Sequence, residues 1–209
     1  LQDDQKRFGL KLIGGDLTSS LKHINITITI FGKASNGKSI PRNGAKLGDS
    51  LYVSGTLGLS KIGLDNYNSN FKDFQLAKRK YLFPQPRVDL GMSLKNIANS
   101  MIDISDGLVQ DASHLAKNSK LSVELNLNKI PLPNLKQLDK ESILNSALYG
   151  GDDYELLFSC NAFNEKLVEE LSAKMNIKLT KIGVFKELKK EYIEFKDNNT
   201  KPKKSYLHF

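Results

Sequence analysis

The chain has 209 residues, of which 39% are hydrophobic and 26% charged, a balance typical of a globular protein with a sizeable buried core. No apolar run approaches the length needed to cross a bilayer, so the composition argues against a membrane protein and favours a cytoplasmic one. The net charge is +8, but only four of the 31 basic residues are arginine and the lysines are scattered, so a solvated surface is favoured over nucleic-acid binding.

The first forty residues have the pattern of the end of a domain. Residues 2–12 are amphipathic and predict a helix that is ended by the glycines around it. Isoleucine alternates with polar residues over 24–30, which predicts a strand with one polar face. Because a lone strand needs partners that its neighbours do not supply, we assign residues 1–40 to the remnant of an N-terminal α/β domain and 41–209 to a C-terminal domain.

The rest of the chain alternates between strand and helix patterns. Strands are predicted at residues 51–53, 101–104, 122–127, 154–160, 179–184 and 192–195. Helices are predicted at residues 57–64, 71–81, 90–98, 107–117, 142–149 and 164–175. This alternation predicts an α/β, or mixed α+β, layered fold. The single cysteine, Cys160, falls in an apolar strand, so a buried thiol is favoured and an intramolecular disulfide is excluded.

Three clusters combine glycine with carboxylates near the predicted ends of strands. They are GGDLTSS at 14–20, DISDG at 103–107 and GGDDYE at 150–155. Each alone is a common turn composition, but together they favour a site that holds magnesium against phosphate. The second cluster is the most informative because it opens a helix. Backbone N–H groups at such a turn attract anions, while its carboxylates require a cation between them and a phosphate.

The order of the motifs resembles the thiamine-monophosphate kinase family, of the superfamily that includes aminoimidazole ribonucleotide synthetase and selenophosphate synthetase. The likeness runs through almost the whole chain. The matching segments are LIGGD at 12–16, RNGAKLGD at 42–49, LYVSGT at 51–56, PRV at 86–88, IDISDGL at 102–108, GGDDYELLF at 150–158 and YLHF at 206–209. Each piece alone is weak, whereas the set in this order is specific.

The resemblance implies roles for individual residues. ATP would contact Gly15, Asp16, Arg42 and Ser105. Magnesium would be bound by Asp16, Asp103 and Asp106. Thiamine monophosphate would contact Asp152 and Tyr206, with aspartate at position 152 where the family usually has glutamate. No catalytic side-chain nucleophile is implied, because phosphoryl transfer relies on positioning and metal ions.

The activity implied by the resemblance is ATP-dependent phosphorylation of thiamine monophosphate to thiamine diphosphate. The implied fold is the superfamily's C-terminal α/β sandwich domain, and the implied assembly is a homodimer of the full-length protein. The family carries an upstream domain with further magnesium-binding acids, to which nothing here corresponds. We therefore expect this chain alone to bind Mg-ATP weakly and to turn over negligibly.

Two alternatives stay open. One is another ATP-using enzyme of the same superfamily, such as selenophosphate synthetase; the other is a truncated fragment without catalytic activity. Two further residues also have two interpretations. Arg87 could reach phosphate or tie down its own loop. His114 lies at helical spacing from Asp111, for which packing is favoured over catalysis.

Overall fold

The computed structural model describes residues 2–34 and 39–196. Contacts divide the chain into two units, Leu1–Gly37 and Lys38–Phe209. Over the described ranges, every helix is too short or too polar to span a bilayer.

The first unit contains one short helix. Helix α1 (Gln2–Phe8) has aspartates in its first turn and basic residues in its last, an arrangement that complements the helix dipole. It ends at Gly9, whose φ of 64° is left-handed. The predicted N-terminal helix is thus confirmed, with a slightly earlier end.

The strand predicted at residues 24–30 is not formed. The four isoleucines of this segment are between 63% and 92% exposed, and no strand is present among residues 2–34. An isolated strand has no hydrogen-bonding neighbour and cannot bury its apolar face, so alternation alone does not produce one. The assignment of this unit to an N-terminal domain stays a prediction.

The second unit is built on one six-stranded sheet. Its strands are β1 (Ser50–Ser54), β2 (Ala98–Asp103), β3 (Leu121–Leu125), β4 (Leu156–Cys160), β5 (Leu179–Glu187) and β6 (Ile193–Phe195). Their order in the sheet is β2-β4-β1-β5-β3-β6. Only the β3–β6 pair is parallel, and the other neighbouring pairs are antiparallel.

Helices cover both faces of the sheet. They are α2 (Leu59–Asp65), α3 (Lys72–Leu82), α4 (Val88–Ser93), α5 (Leu108–Asn118), α6 (Lys140–Tyr149) and α7 (Glu165–Met175). The core on one face is completed by α5 and α6, and the core on the other face by α4 and α7. The predicted mixed α/β fold is confirmed. The helix predicted at 90–98 is shorter than expected, because α4 ends at Ser93 and β2 begins at Ala98 after a single 3-10 turn.

The pleat of the central strands explains the two cores. Leu51 and Val53 of β1 point into the α5–α6 core, while Tyr52 points to the opposite face. There Tyr52 stacks on Phe158 with ring centroids 5.6 Å apart. Cys160 lies in the same core, and burial raises the pKa of its thiol to about 12. The predicted burial of this thiol is confirmed.

Antiparallel pairing of β2 with β4 positions the candidate site. Asp103, the last residue of β2, lies opposite Leu156, the first residue of β4. The turn that follows β2 and the segment that precedes β4 therefore extend past the same end of the sheet. These two segments are the second and third glycine–acid clusters of the sequence.

Candidate functional site

The two acid-rich turns are joined by backbone hydrogen bonds. Ile104 donates to the carbonyl of Glu155 and accepts from the N–H of Tyr154, each at 2.9 Å. The N–H of Asp152 donates to the carbonyl of Ser105, also at 2.9 Å. This ladder continues the β2–β4 pairing beyond the sheet, so clusters almost 50 residues apart in sequence form one surface.

Two glycines allow this close approach. Gly151 has a φ of 68°, and a methyl group on its Cα would overlap the carbonyl oxygen of Ser105. Gly107 has a φ of 111°, and a methyl group there would come within 3.0 Å of the carbonyl oxygen of Leu148. Both positions combine a left-handed backbone with a tight contact, so a side chain would be strained and obstructed. Gly107 and Gly151 are therefore needed for packing between the turns.

Asp111 holds the first turn from the inside. Its carboxylate Oδ2 accepts the backbone N–H groups of Ser105 and Asp106, at 3.1 Å each. The side chain is buried, and this burial raises the pKa of Asp111 to about 7 although the two N–H donors act in the opposite direction. The motif predicts that these N–H groups are free to attract an anion. The structure corrects that expectation, because an internal carboxylate takes both of them.

The side chains of the same turn present oxygen atoms. Asp103, Ser105 and Asp106 are partly buried. Gln110, in the first turn of α5, donates from Nε2 to Asp106 Oδ2 at 3.1 Å, and the Ser105 hydroxyl lies 3.4 Å from the other oxygen of Asp106. Carboxylate and hydroxyl oxygens are the ligand type that magnesium prefers, so this donor set fits the ion that the motif predicts.

A nitrogen atom also lies near this cluster. Asp106, Asp111 and His114 each place one potential ligand atom within 4.8 Å of the others. The imidazole is a better ligand for transition metals than for magnesium. The spacing of His114 from Asp111 gave a signal in the sequence, but nothing local indicated that Asp106 would join them.

In the second turn, alternate residues face in opposite directions. Asp152 and Tyr154 are both left-handed, with φ values of 57° and 49°, and the Tyr154 hydroxyl donates to Asp152 Oδ1 at 3.2 Å. Partial burial raises the pKa of Tyr154, and the negative charges of Asp152, Asp103 and Asp106 raise it further. The charges that act on Tyr154 therefore come from both turns.

Asp153 of the same motif points inward. It is buried and accepts the N–H groups of Gly58 and Ser60, at 2.7 and 3.3 Å, at the start of α2. Burial raises the pKa of Asp153 to about 7. Its contacts attach the α2 end of the unit to the turn that carries Asp152.

Glu155 also points inward. Its carboxylate accepts hydrogen bonds from both Nε and Nη2 of Arg87 at 2.7 Å and from the hydroxyl of Ser54 at 2.6 Å. Lys80 lies 3.6 Å away. Of the two interpretations open for Arg87, the structure supports the one in which it ties down its loop, because its guanidinium is engaged by an internal acid.

The remaining predicted site residues do not belong to these two turns. Arg42 is exposed in the loop before β1, next to Pro41, whose carbonyl accepts the N–H of Met101 in β2. Gly15 and Asp16 belong to the first unit, where both are exposed and Asp16 accepts the N–H of Leu17 at 2.8 Å. Tyr206 lies outside the described residues.

The structure therefore brings four predicted site residues together: Asp103, Ser105, Asp106 and Asp152.

Residues 46–196 match the model of a protein family described as AIR synthase related protein, C-terminal domain. The chain belongs to this family. The match spans the whole sheet and both acid-rich turns.

Relatives of the chain carry the name thiamine-monophosphate kinase. The chain is 39% identical over 184 residues to thiamine-monophosphate kinase of Buchnera aphidicola subsp. Schizaphis graminum, covering 85% of this chain and 56% of the relative. It is 34% identical over 213 residues to the enzyme of the same name from Buchnera aphidicola subsp. Acyrthosiphon pisum, covering 97% and 65%. The chain thus spans between about half and two thirds of the length of these relatives.

Solved structures give the same result. A thiamine-monophosphate kinase from Stenotrophomonas maltophilia K279a superposes with a TM-score of 0.73 at 29% identity, covering 78% of this chain and 54% of the other. The structure described as AaThiL complexed with AMPPCP and TMP gives a TM-score of 0.66 at 33% identity, covering 80% and 53%. The family resemblance predicted from the motifs is confirmed.

Proposed function

We propose that the protein to which this chain belongs transfers a phosphoryl group from ATP to thiamine monophosphate, giving thiamine diphosphate. The observation that carries the proposal is the hydrogen-bonded junction of the two turns. It places the acids predicted to hold a metal beside the acid predicted to contact the acceptor. The names of the relatives and the ligands of AaThiL, an ATP analogue and TMP, support the same reaction.

On the nucleotide side, Asp103 and Asp106 would hold magnesium and Ser105 would donate a hydrogen bond to ATP. When bound, the ion would offset negative charge on the phosphates that approach these carboxylates. The family resemblance also assigns Asp16 to magnesium, and Gly15 and Arg42 to ATP. An exposed guanidinium such as that of Arg42 suits phosphate oxygens.

On the acceptor side, Asp152 and Tyr206 would contact thiamine monophosphate. The thiazolium ring of thiamine carries a permanent positive charge, so a carboxylate is a suitable partner for it. Asp152 is held by a hydrogen bond from Tyr154 and by its backbone bond to Ser105, which fixes the carboxylate beside the metal side of the site. The chain's own part in the reaction is positioning, and no side chain is required as a nucleophile.

The proposal also covers where the enzyme is located, how it assembles and whether it binds nucleic acid. We propose a cytoplasmic homodimer of the full-length protein that does not bind nucleic acid. The scarcity of arginine among the basic residues supports the last point.

The test is to incubate the full-length protein with ATP, magnesium and thiamine monophosphate and to measure thiamine diphosphate by chromatography. Product formation that is lost when Asp103→Asn and Asp106→Asn are combined supports the proposal. Failure to form it, with turnover on selenide instead, would favour selenophosphate synthetase chemistry. The present chain assayed alone tests the fragment alternative, and we expect weak Mg-ATP binding and negligible turnover from it.

A further inference from the structure

Two backbone N–H groups of the metal-side turn face the protein interior. The N–H groups of Ser105 and Asp106 converge on a single carboxylate oxygen of Asp111, at 3.1 Å each. Asp111 is 1% exposed, so it cannot contact bulk solvent in place of these donors. The two residues precede α5, where N–H groups lack partners within the helix.

This arrangement reverses the usual polarity of a helix start. Unpartnered N–H groups and the helix dipole make an N-terminus attractive to anions. Here an internal anion occupies the donors, and the groups left facing the partly exposed side are acceptors, namely the carboxylates of Asp103 and Asp106 and the hydroxyl oxygen of Ser105. A turn in this state favours a cation.

We propose that Asp111 is a positioning residue that makes the turn at residues 103–107 a cation site rather than a phosphate site. It does so by holding the two N–H groups inward and, in its ionised form, by adding negative charge behind the outer carboxylates. This inference rests on the metal role proposed above for Asp103 and Asp106. It goes beyond that role because Asp111 acts through the turn and does not contact ATP or the acceptor.

The neighbours of Asp111 separate this role from a purely structural cap. Asp106 and His114 each place an atom within 4.8 Å of it, and the charge of Asp103 also acts on it. A residue that served only to cap a helix would need hydrogen-bond acceptance and no charge. Asparagine at position 111 keeps an acceptor oxygen of similar size and removes the charge, so Asp111→Asn distinguishes the two roles.

The experiment titrates Mn²⁺, a paramagnetic probe for the magnesium site, into the present chain and follows free ion by electron paramagnetic resonance. We expect Asp111→Asn to retain the circular dichroism spectrum and to weaken Mn²⁺ binding by about tenfold or more, the effect usual for loss of a group that orients metal ligands. Asp89→Asn, an exposed aspartate in the first turn of α4, is the matched control and should bind as the wild type does.

Two further variants make the outcomes separable. If Asp103→Asn combined with Asp106→Asn abolishes Mn²⁺ binding while Asp111→Asn binds normally, the proposal for Asp111 is overturned and the metal site stands. If the double variant binds normally, the metal role itself fails, and with it this inference. His114→Gln should leave affinity unchanged; a loss equal to that of Asp111→Asn would make Asp111 and His114 direct ligands and overturn the positioning role.

A titration with an anion should show the opposite change in affinity. Asp111→Asn should bind inorganic phosphate more tightly than the wild type does, because charge repulsion falls and the N–H groups are held less strongly. Phosphate affinity that is unchanged or weaker, measured by calorimetry, would contradict the reversal of polarity.

Discussion

Arg87 and Glu155, 68 positions apart in the sequence, form a bidentate ion pair with both N···O distances at 2.7 Å. The side chain of Glu155 is only 2% exposed and that of Arg87 is 21% exposed. The pair joins the loop before α4 to the segment before β4, directly behind the turn that carries Asp152. An acid of the family motif therefore stabilises the site without facing it.

Removing the arginine should cost far more than removing a surface partner. Arg87→Ala leaves the buried carboxylate with Ser54 and a more distant Lys80, and we expect a loss of about 3–5 kcal/mol in the free energy of unfolding. Lys186→Ala, which breaks the more exposed Lys186–Glu124 pair, is the control and should cost at most about 1 kcal/mol. Equal losses in urea denaturation would refute this prediction.

The contact between the two turns predicts an effect of Gly151→Ala. The left-handed backbone alone should cost about 1–2 kcal/mol, and overlap with the carbonyl of Ser105 should add about 1–3 kcal/mol. Gly48→Ala is a matched control, since Gly48 has a φ of 84° but open space where a methyl group would lie. Unfolding free energies that do not differ between the two variants would show that the turns can separate without cost.

The buried carboxyl of Asp153 predicts a pH dependence of stability. Its pKa of about 7 in the folded state lies above the ordinary value of 3.8, so the folded state binds a proton more tightly than the unfolded state. Its contribution is therefore lost as pH rises from about 4 to 7, by up to about 1.4 kcal/mol per pH unit.

Asp153→Asn removes this titration while keeping an acceptor for Gly58. We expect the stability advantage of the wild type over this variant to shrink between pH 5 and pH 7 in urea titrations. Asp89→Asn removes an exposed carboxylate, and its free energy of unfolding should differ from that of the wild type by a constant amount over the same pH range. A constant difference between the wild type and Asp153→Asn would show that Asp153 is ionised throughout.

The left-handed backbone at Asp152 allows a clean test of its proposed substrate contact. Aspartate and asparagine both tolerate a φ of 57°, so Asp152→Asn changes charge with little change in backbone preference. In the full-length protein we expect the KM for thiamine monophosphate to rise about tenfold, the loss typical of one charged contact, with the KM for ATP unchanged. A parallel rise in both KM values would argue against a specific acceptor contact.

Local pattern predicted most elements of the second unit. Short apolar runs predicted β1 and β4, and helical spacing with flanking glycine predicted α5 to within one residue at each end. It failed at residues 24–30, because a strand depends on a neighbour that the local pattern does not contain. The motifs predicted Asp152 as a site residue, but they did not show that Asp153 and Glu155 of the same motif point inward.

The sequence by itself determined the family and the succession of strands and helices in the second unit, and it predicted Asp103, Asp106 and Asp152 as site acids. Only the tertiary structure decided which polar groups are partners: Asp111 with the turn before its own helix, and Arg87 with Glu155. The physical reason is that burial and hydrogen-bond geometry depend on which segments pack together. Residue type fixes what a group is able to bind, and the fold fixes whether that group faces the interior or the candidate site.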